Sequence, residues 1–322
     1  MEGDQASALC VIPGGRPDMN LSDVSVIIVN YNGANVLPRA VASILRLEHQ
    51  PGELIIVDNG STDDSREFVK GLHEPLIKRV LLPTNHGVAG GRNAGVALAS
   101  GKILAFLDSD GEATATWLPG SLAMLQNAPR AGAIAPLVLM NNGTTINGAG
   151  SVLDSSGHGR DRLWGEPLEP FRQVLEQWRG QPVDYPMGCG MVVRRDGLEP
   201  VWPLDDALPK WHDDTEIGLR IRRLGYQVLF NPDATVLHHP GHSDPKDQGE
   251  RQRLAELARL RLLWKYYPIK VALWQSAYYT LFAVTGSRQR FQNWRDLQTI
   301  AVHFWQNAGK IRHVRRKWKI VS

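Results

Sequence analysis

Only two cysteines, Cys10 and Cys189, occur in 322 residues. They are too few and too far apart for a disulfide framework or a zinc site, so a reducing compartment is expected. The opening MEGDQASALCVIPGGRPDMN lacks a basic segment followed by an apolar core and reads as a loose leader, residues 1–21, not a signal peptide. No apolar run is clean enough for a transmembrane helix: LLWKYYPIKVALWQSAYYTLFAVTG carries Lys265 and Lys270 and is broken by Pro268. There is no G-x-x-x-x-G-K-[ST], and no G-x-G-x-x-G follows the first apolar stretch, which weakens the P-loop NTPase and dinucleotide-dehydrogenase readings. No repeat or low-complexity segment occurs. Acidic residues are scarce at one end: residues 251–322 hold 15 Lys and Arg against 2 acids, net +13, while residues 1–250 hold 21 against 31, net −10. The chain has an acidic body and a basic tail.

What is present is an ordinary globular composition, 43% hydrophobic and 21% charged, in a regular alternation. VSVIIVN (24–30), ELIIVD (53–58), RVLLP (79–83) and ILAFLD (103–108) read as strands. Helical patterns over 36–47, DSREFVKGL and 89–99 separate them, which predicts an α/β fold with a mostly parallel sheet flanked by helices. Gly101 reads as a left-handed cap on the third helix. Beyond Asp110 come a helix in TWLPGSLAMLQN, a strand in AIAPLVLM and a Gly/Asn-rich passage suited to an acceptor-binding insertion. A helix with Ile217, Ile221 and Leu224 on one face then leads into a strand.

Because the strands run parallel, their polar C-terminal ends share one edge, where ligands bind in open α/β sheets. Those ends are Asn30-Tyr31-Asn32-Gly33, Asp58-Asn59-Gly60-Ser61 and Asp108-Ser109-Asp110. Two carboxylates one residue apart after a buried strand suit Mg2+ or Mn2+ shared with a diphosphate, although Asp also simply favours turns. Gly87 to Gly95 open a helix whose glycines would admit a ligand to backbone amides. Arg92 adds a positive fork there, suited to phosphate or to a neighbouring carboxylate. Asp213 and Asp214 start a later helix, where Asp also serves as a cap.

VSVIIVNYNG, LIIVDNGSTDDS, GRNAG, FLDSD, GCGMVVRR and WHDDTEIGLRIRRLGY, in that order, resemble the inverting family 2 glycosyltransferases of the GT-A fold, especially bacterial rhamnosyltransferase-like members. The resemblance covers roughly residues 22–245, a nucleotide-binding half (22–112) and an acceptor-binding half (113–245), and leaves 246–322 as a helical, basic, aromatic-rich extension. It implies that Tyr31 lies beside the nucleotide base, that Asp58 accepts a hydrogen bond from it and that Arg92 supports Asp58. It implies further that Asp108 lies near the ribose, that Asp110 is the main metal ligand, and that Asp214 is the catalytic base. His238, with His239 as alternate, would face the metal and diphosphate. Asn59 stands where many relatives carry Asp, so uridine and thymidine diphosphates both stay open, and the QxxRW signature of processive synthases is absent.

The resemblance thus implies a metal-dependent inverting transferase moving a sugar from a UDP- or dTDP-linked donor to a hydroxyl of a glycan or lipid-linked acceptor in cell-surface polysaccharide synthesis. The rival reading is a catalytically silent sugar-nucleotide or glycan-binding module. Five of ten Trp fall in 251–322. With the charge they suit the surface of an anionic membrane, placing the protein in the cytoplasm at the inner face of the plasma membrane. Nucleic-acid binding, a homodimer interface and packing of the tail on the acidic body are the alternatives. Nucleic acid is not expected as a partner.

Overall fold

Apolar runs set the first strands, buried in β1 (Val24–Asn30), β2 (Glu53–Asp58) and β4 (Ile103–Asp108) and part-exposed in β3 (Ile77–Leu81). Three amphipathic helices connect them, α1 (Leu37–Leu45), α2 (Ser65–Lys70) and α3 (Gly87–Leu98). The computed structural model of the chain describes residues 19–198, 202–206, 208, 211–240, 248–285, 308–309 and 311–316. Cys10, Trp294, Trp305, Trp318 and the chain end after residue 316 lie outside the described residues. β1 pairs in parallel with β2 and β4, and β2 with β3, so Asn30, Asp58 and Asp108 end side by side.

The expected register slips at β3, which lies two residues earlier than RVLLP and forms a half-exposed edge bearing Lys78 and Arg79. Nor is Gly101 a left-handed cap. It has an ordinary φ, and a Cβ there would come within 2.5 Å of the Asp23 carbonyl oxygen, so close approach explains the glycine. Residues 19–21, expected in the loose leader, belong to the fold. Met19 is buried in the core, and its carbonyl accepts from Gln126 Nε2 at 2.6 Å.

Past β4 the sheet turns mixed. The elements are β5 (Gly111–Ala113), α4 (Trp117–Asn127), β6 (Ala131–Met140), β7 (Ile146–Ala149), β8 (Ser151–Leu153), β9 (Gly159–Asp161), α5 (Arg172–Gln177), β10 (Pro182–Val183) and β11 (Val192–Arg194). There follow α6 (Arg195–Leu198), α7 (Asp213–Arg223), β12 (Gln227–His238), α8 (Gln248–Tyr266) and α9 (Ile269–Thr285). The order is β10-β12-β6-β11-β4-β1-β2-β3, with β5 on β12 and β7 on β6. The parallel sheet therefore holds from β3 to β4, and β11, antiparallel to both β4 and β6, joins it to the second half.

Alternate side chains of each strand feed two cores. Ile27, Ile55, Val57 and Phe106 pack on the side of α3, while Val26, Ile28, Leu54 and Ile56 pack with α1 and α4. Gly91 and Gly95 face Val29 and Ile27, where a Cβ would come within 2.4 and 2.5 Å. Two of the glycines expected to admit a ligand instead let α3 lie close on β1.

The C-terminal extension is tied in by buried charge. Arg261 and Lys265 of α8 pair with Asp205 at 2.5 and 3.0 Å, and Lys265 also pairs with Glu216 of α7. Glu216 further accepts from Arg220 at 2.9 Å and from the Tyr266 hydroxyl at 2.7 Å. Arg259, also buried, donates to the Ser156 carbonyl at 2.6 Å. Three of the cations counted toward a membrane surface are thus internal. No helix among the described residues is long and apolar enough to cross a membrane.

Candidate active site

The strand ends build the floor of a cleft. Asn30 donates to Ser61 Oγ at 3.2 Å and Ser65 Oγ at 2.9 Å. Asn32, in the left-handed region at φ 52°, accepts from the Thr62 amide at 2.8 Å, which stitches the β1 loop to the β2 loop. Tyr31 stands at this rim, 40% exposed. Asp58 is wholly buried; its Oδ2 accepts from Arg66 Nη1 at 2.5 Å, and its Oδ1 has no hydrogen-bond partner. A buried carboxylate oxygen left without a donor is costly. Asn59 turns away, donating to the Gly87 carbonyl at 2.9 Å and accepting from the His86 amide at 3.0 Å, so it holds the start of α3.

The expected pairing of Arg92 with Asp58 is not what the structure has; Arg66 takes that place. Buried Arg92 grips Asp213 with Nη1, and with Nη2 reaches Asp108 Oδ1 and the Gly188 carbonyl, each at 3.2 Å. Burial alone would weaken its hold on a proton, but Asp213, Asp108 and Asp214 raise it further above its already high range. Its neighbour Asn93 exchanges two hydrogen bonds with the Leu204 backbone, at 3.0 and 2.9 Å, anchoring the segment before α7.

Register brings the metal candidates together. β5 pairs with β12 so that Gly111 faces His238, which puts His238 Nε2 3.3 Å from Asp110 Oδ1. His238 Nδ1 lies 2.6 Å from Asn147 Oδ1. With that oxygen as acceptor, Nδ1 carries the hydrogen and Nε2 turns a lone pair toward a carboxylate, which is repulsive unless a cation or proton sits between. His239 turns elsewhere, 2.7 Å from Arg39 Nη1 and 3.5 Å from Glu112 Oε2. Ligand atoms of Asp108, His238 and Cys189 also lie within 4.8 Å of one another. Burial, then Asp108 and Asp110, push the Cys189 thiol well up, so it stays protonated. Asp108 is likewise raised, by enclosure in the cleft and by Asp110, against the pull of Arg92.

Asp213 and Asp214 have different surroundings. Asp213 is neutralised by Arg92, whereas Asp214 accepts from the Gly188 N–H at 3.1 Å, the Thr215 N–H at 2.6 Å and the Thr215 hydroxyl at 3.3 Å. Burial and then the charge of Asp213 push Asp214 up to about 7. Trp211 and His212, both at positive φ (61° and 62°), deliver the chain into α7. Side chains in that region cost about 1–3 kcal/mol each, and such strain is typical of functional sites. Gly188 sits where a Cβ would come within 2.9 Å of Arg92 Nη2 and 3.6 Å of Asp214 Oδ2, so GCG packs tightly against both side chains.

Four residues of this arrangement escaped the sequence reading: Arg66, Asn147, Cys189 and Asp161. Asp161 accepts from Ser151 Oγ at 2.6 Å, and burial raises it, with His238 opposing. Arg66 was the most legible, standing eight residues after Asp58 in the next helix.

The sequence matches Glycosyl transferase family 2 over residues 25–202. A glycosyltransferase of Nostoc sp. is 32% identical over 190 residues, 58% of this chain and 55% of the relative, so the chain spans little more than half of that relative's length. The N-acetylglucosaminyl-diphospho-decaprenol L-rhamnosyltransferase of Mycobacterium tuberculosis is 28% identical over 248 residues, 69% of this chain and 78% of the relative. GalNAc-T7, crystallised with UDP, GalNAc and Mn2+, is similar in fold, with a TM-score of 0.57 at 22% identity over 76% of this chain and 48% of the other. A TarS fragment from S. aureus matches with a TM-score of 0.50 at 18% identity over 74% and 65%. Matched over more than half its length and folded on the GT-A plan, the chain belongs to glycosyl transferase family 2.

Proposed function

We propose that the protein transfers a sugar, with inversion, from a nucleoside diphosphate sugar to a hydroxyl of a glycan or lipid-linked acceptor at a membrane surface. The observation that carries this is Asp214: a half-buried acid poised at about 7, beside but distinct from the Arg92-bound Asp213, which Arg92 links to Asp108 at the sheet edge that also carries Asp110. A base needs that poise at neutral pH. Asp214 takes the proton of the acceptor hydroxyl as its oxygen bonds to the anomeric carbon, while the bond from that carbon to the diphosphate breaks and the electron pair leaves with the phosphate. One free carboxylate suits a single displacement, hence inversion.

The donor set fits a divalent cation, because Asp110 and the Nε2 lone pair of His238 converge and Asp108 adds a third donor. Carboxylate oxygens and an imidazole suit Mn2+ or Mg2+. Such an ion, when bound, offsets the charge of the departing diphosphate. Asp110→Ala is expected to abolish metal-dependent nucleotide binding; calorimetry with UDP or dTDP and Mn2+ reads it, and wild-type affinity in the variant refutes the assignment.

Tyr31, exposed at the rim, suits the face of a pyrimidine base, and Asp58 Oδ1 behind it would accept the base N–H only once the side chains that now cover it move aside. Arg66→Ala leaves Asp58 a buried, unpaired carboxylate, so it should lower nucleotide affinity by roughly tenfold or more and reduce stability. Paired calorimetry and thermal melts test this; unchanged binding removes Arg66 from the base site. Release of nucleoside diphosphate across a panel of nucleotide sugars, followed by NMR of the product's anomeric configuration, tests the reaction itself. The lipid-linked acceptor and the membrane surface are supported by the decaprenol-linked substrate that the mycobacterial relative is named for and by exposed basic residues of the extension such as Lys270, Arg312 and Arg316.

A further inference from the structure

We infer that one face of α9 docks on an anionic lipid bilayer, an inference that rests on the membrane reading above and names the surface responsible. Lys270, Leu273, Trp274, Ala277 and Tyr278 recur at helical spacing and form one stripe of α9. Its large side chains are turned to solvent: Leu273 is 53% exposed, Trp274 68% and Tyr278 48%. The opposite face is the packed one, where Ala272 and Tyr279 close on Leu260 and Leu263 of α8. A surface helix ordinarily shows water its polar side, so an aliphatic and aromatic stripe flanked by lysine marks a face that meets something apolar with a charged boundary.

Charge chooses the occupant. Neither 257–285 nor 308–316 contains an Asp or Glu. The short helix over 311–316 is held to the end of α8 by Arg315, whose Nη1 donates to the Trp264 and Tyr267 carbonyls at 3.1 and 2.9 Å. That leaves Arg312 and Arg316 exposed near the turn from which Lys270 projects. A second copy of the chain across a two-fold axis would set these cations against their own equivalents. Anionic headgroups answer them instead, with Trp274 and Tyr278 at the depth where amphipathic rings settle and Leu273 in the acyl boundary.

Full-length protein is sedimented with phosphatidylcholine vesicles, with and without phosphatidylglycerol, at low and high salt. Wild type should bind only the anionic vesicles and retain part of its binding in high salt, because insertion of apolar side chains is not screened. Leu273→Ser with Trp274→Ser and Tyr278→Ser should lose roughly tenfold or more of the binding at both salt concentrations. Lys270→Glu with Arg312→Glu and Arg316→Glu should lose it mainly at low salt. Nucleotide binding and melting temperature should stay at wild-type values in both variants, which separates this face from the catalytic reading. Wild-type vesicle binding by the serine variant overturns the proposal. So does self-association of the wild type without vesicles that the serine variant abolishes, which assigns the face to a second copy. A wild type that transfers sugar to a soluble acceptor yet ignores anionic vesicles sinks the docking face and leaves the transferase standing.

Discussion

Asp214→Asn is expected to lower turnover by about two orders of magnitude or more while donor affinity stays within a few-fold of wild type. The reason is chemical: an amide cannot take the acceptor proton, yet it occupies the same space at the start of α7 and keeps an acceptor for one of the two backbone amides that Asp214 serves through separate oxygens, Gly188 and Thr215. Wild-type kcat/KM should rise with pH and level off above about 7, where Asp214 is ionised. Asp213→Asn removes a charge that raises Asp214, so the midpoint of that profile should move to lower pH. The same residue makes a stability forecast of fixed sign. Its folded pKa lies above the unfolded carboxylate value of 3.8, so its contribution to stability is fully present below 3.8 and is lost as pH rises through about 7. The melting temperature of Asp214→Asn relative to wild type should therefore climb between pH 4 and pH 8, an exchange of activity for stability. A pH-independent difference, or normal turnover, assigns the base to another residue.

Lys265→Met should destabilise the fold by about 3 kcal/mol, because breaking a buried ion pair strands its partners and typically costs 3–5 kcal/mol. The lower end is expected, since Arg261 still reaches Asp205 and Arg220 still reaches Glu216. Lys265→Met with Glu216→Gln should lose less than the sum of the two single changes, which a double-mutant cycle by urea unfolding measures. Additive losses mean the pair is not coupled. The pH dependence runs opposite to that of Asp214. Lys265 holds Glu216 down to about 2 despite its burial, so the stabilisation is complete above the ordinary 4.5 and is lost as pH falls toward 2.

The parallel half of the fold was open to reading because β1, β2 and β4 announce themselves through unbroken apolar runs, and parallel pairing follows from the helices between them. The same logic put Asp58, Asp108 and Asp110 on one edge before any coordinates. Pairings that depend on distant segments were closed to it: nothing local tells that β11 inserts antiparallel between β4 and β6, or that β5 aligns Gly111 with His238. Arg92 was assigned the wrong carboxylate for a related reason. Its glycine-rich surroundings suggest a ligand loop, whereas Gly91 and Gly95 serve helix-on-sheet contact and Arg92 points across to α7. Counting charges misled most in the tail, where Arg259, Arg261 and Lys265 look identical to solvated cations until α8 is laid on its acidic partners.

The order in which the ribosome delivers these partners gives the buried network a further consequence. β1 to β4 have all been made by Asp108, so their parallel pairings can form before the second half of the sheet exists. The helix that carries the base is complete at Arg223, yet Glu216 within it meets Lys265 and Tyr266 only some fifty residues later. Until then Glu216 has a counter-charge in Arg220 of its own helix but none from α8, so α7 lacks the partner that seats it. The helix that bears Asp214, the proposed base, is therefore seated only after the parallel strands that bear Asp58 and Asp108 have been made.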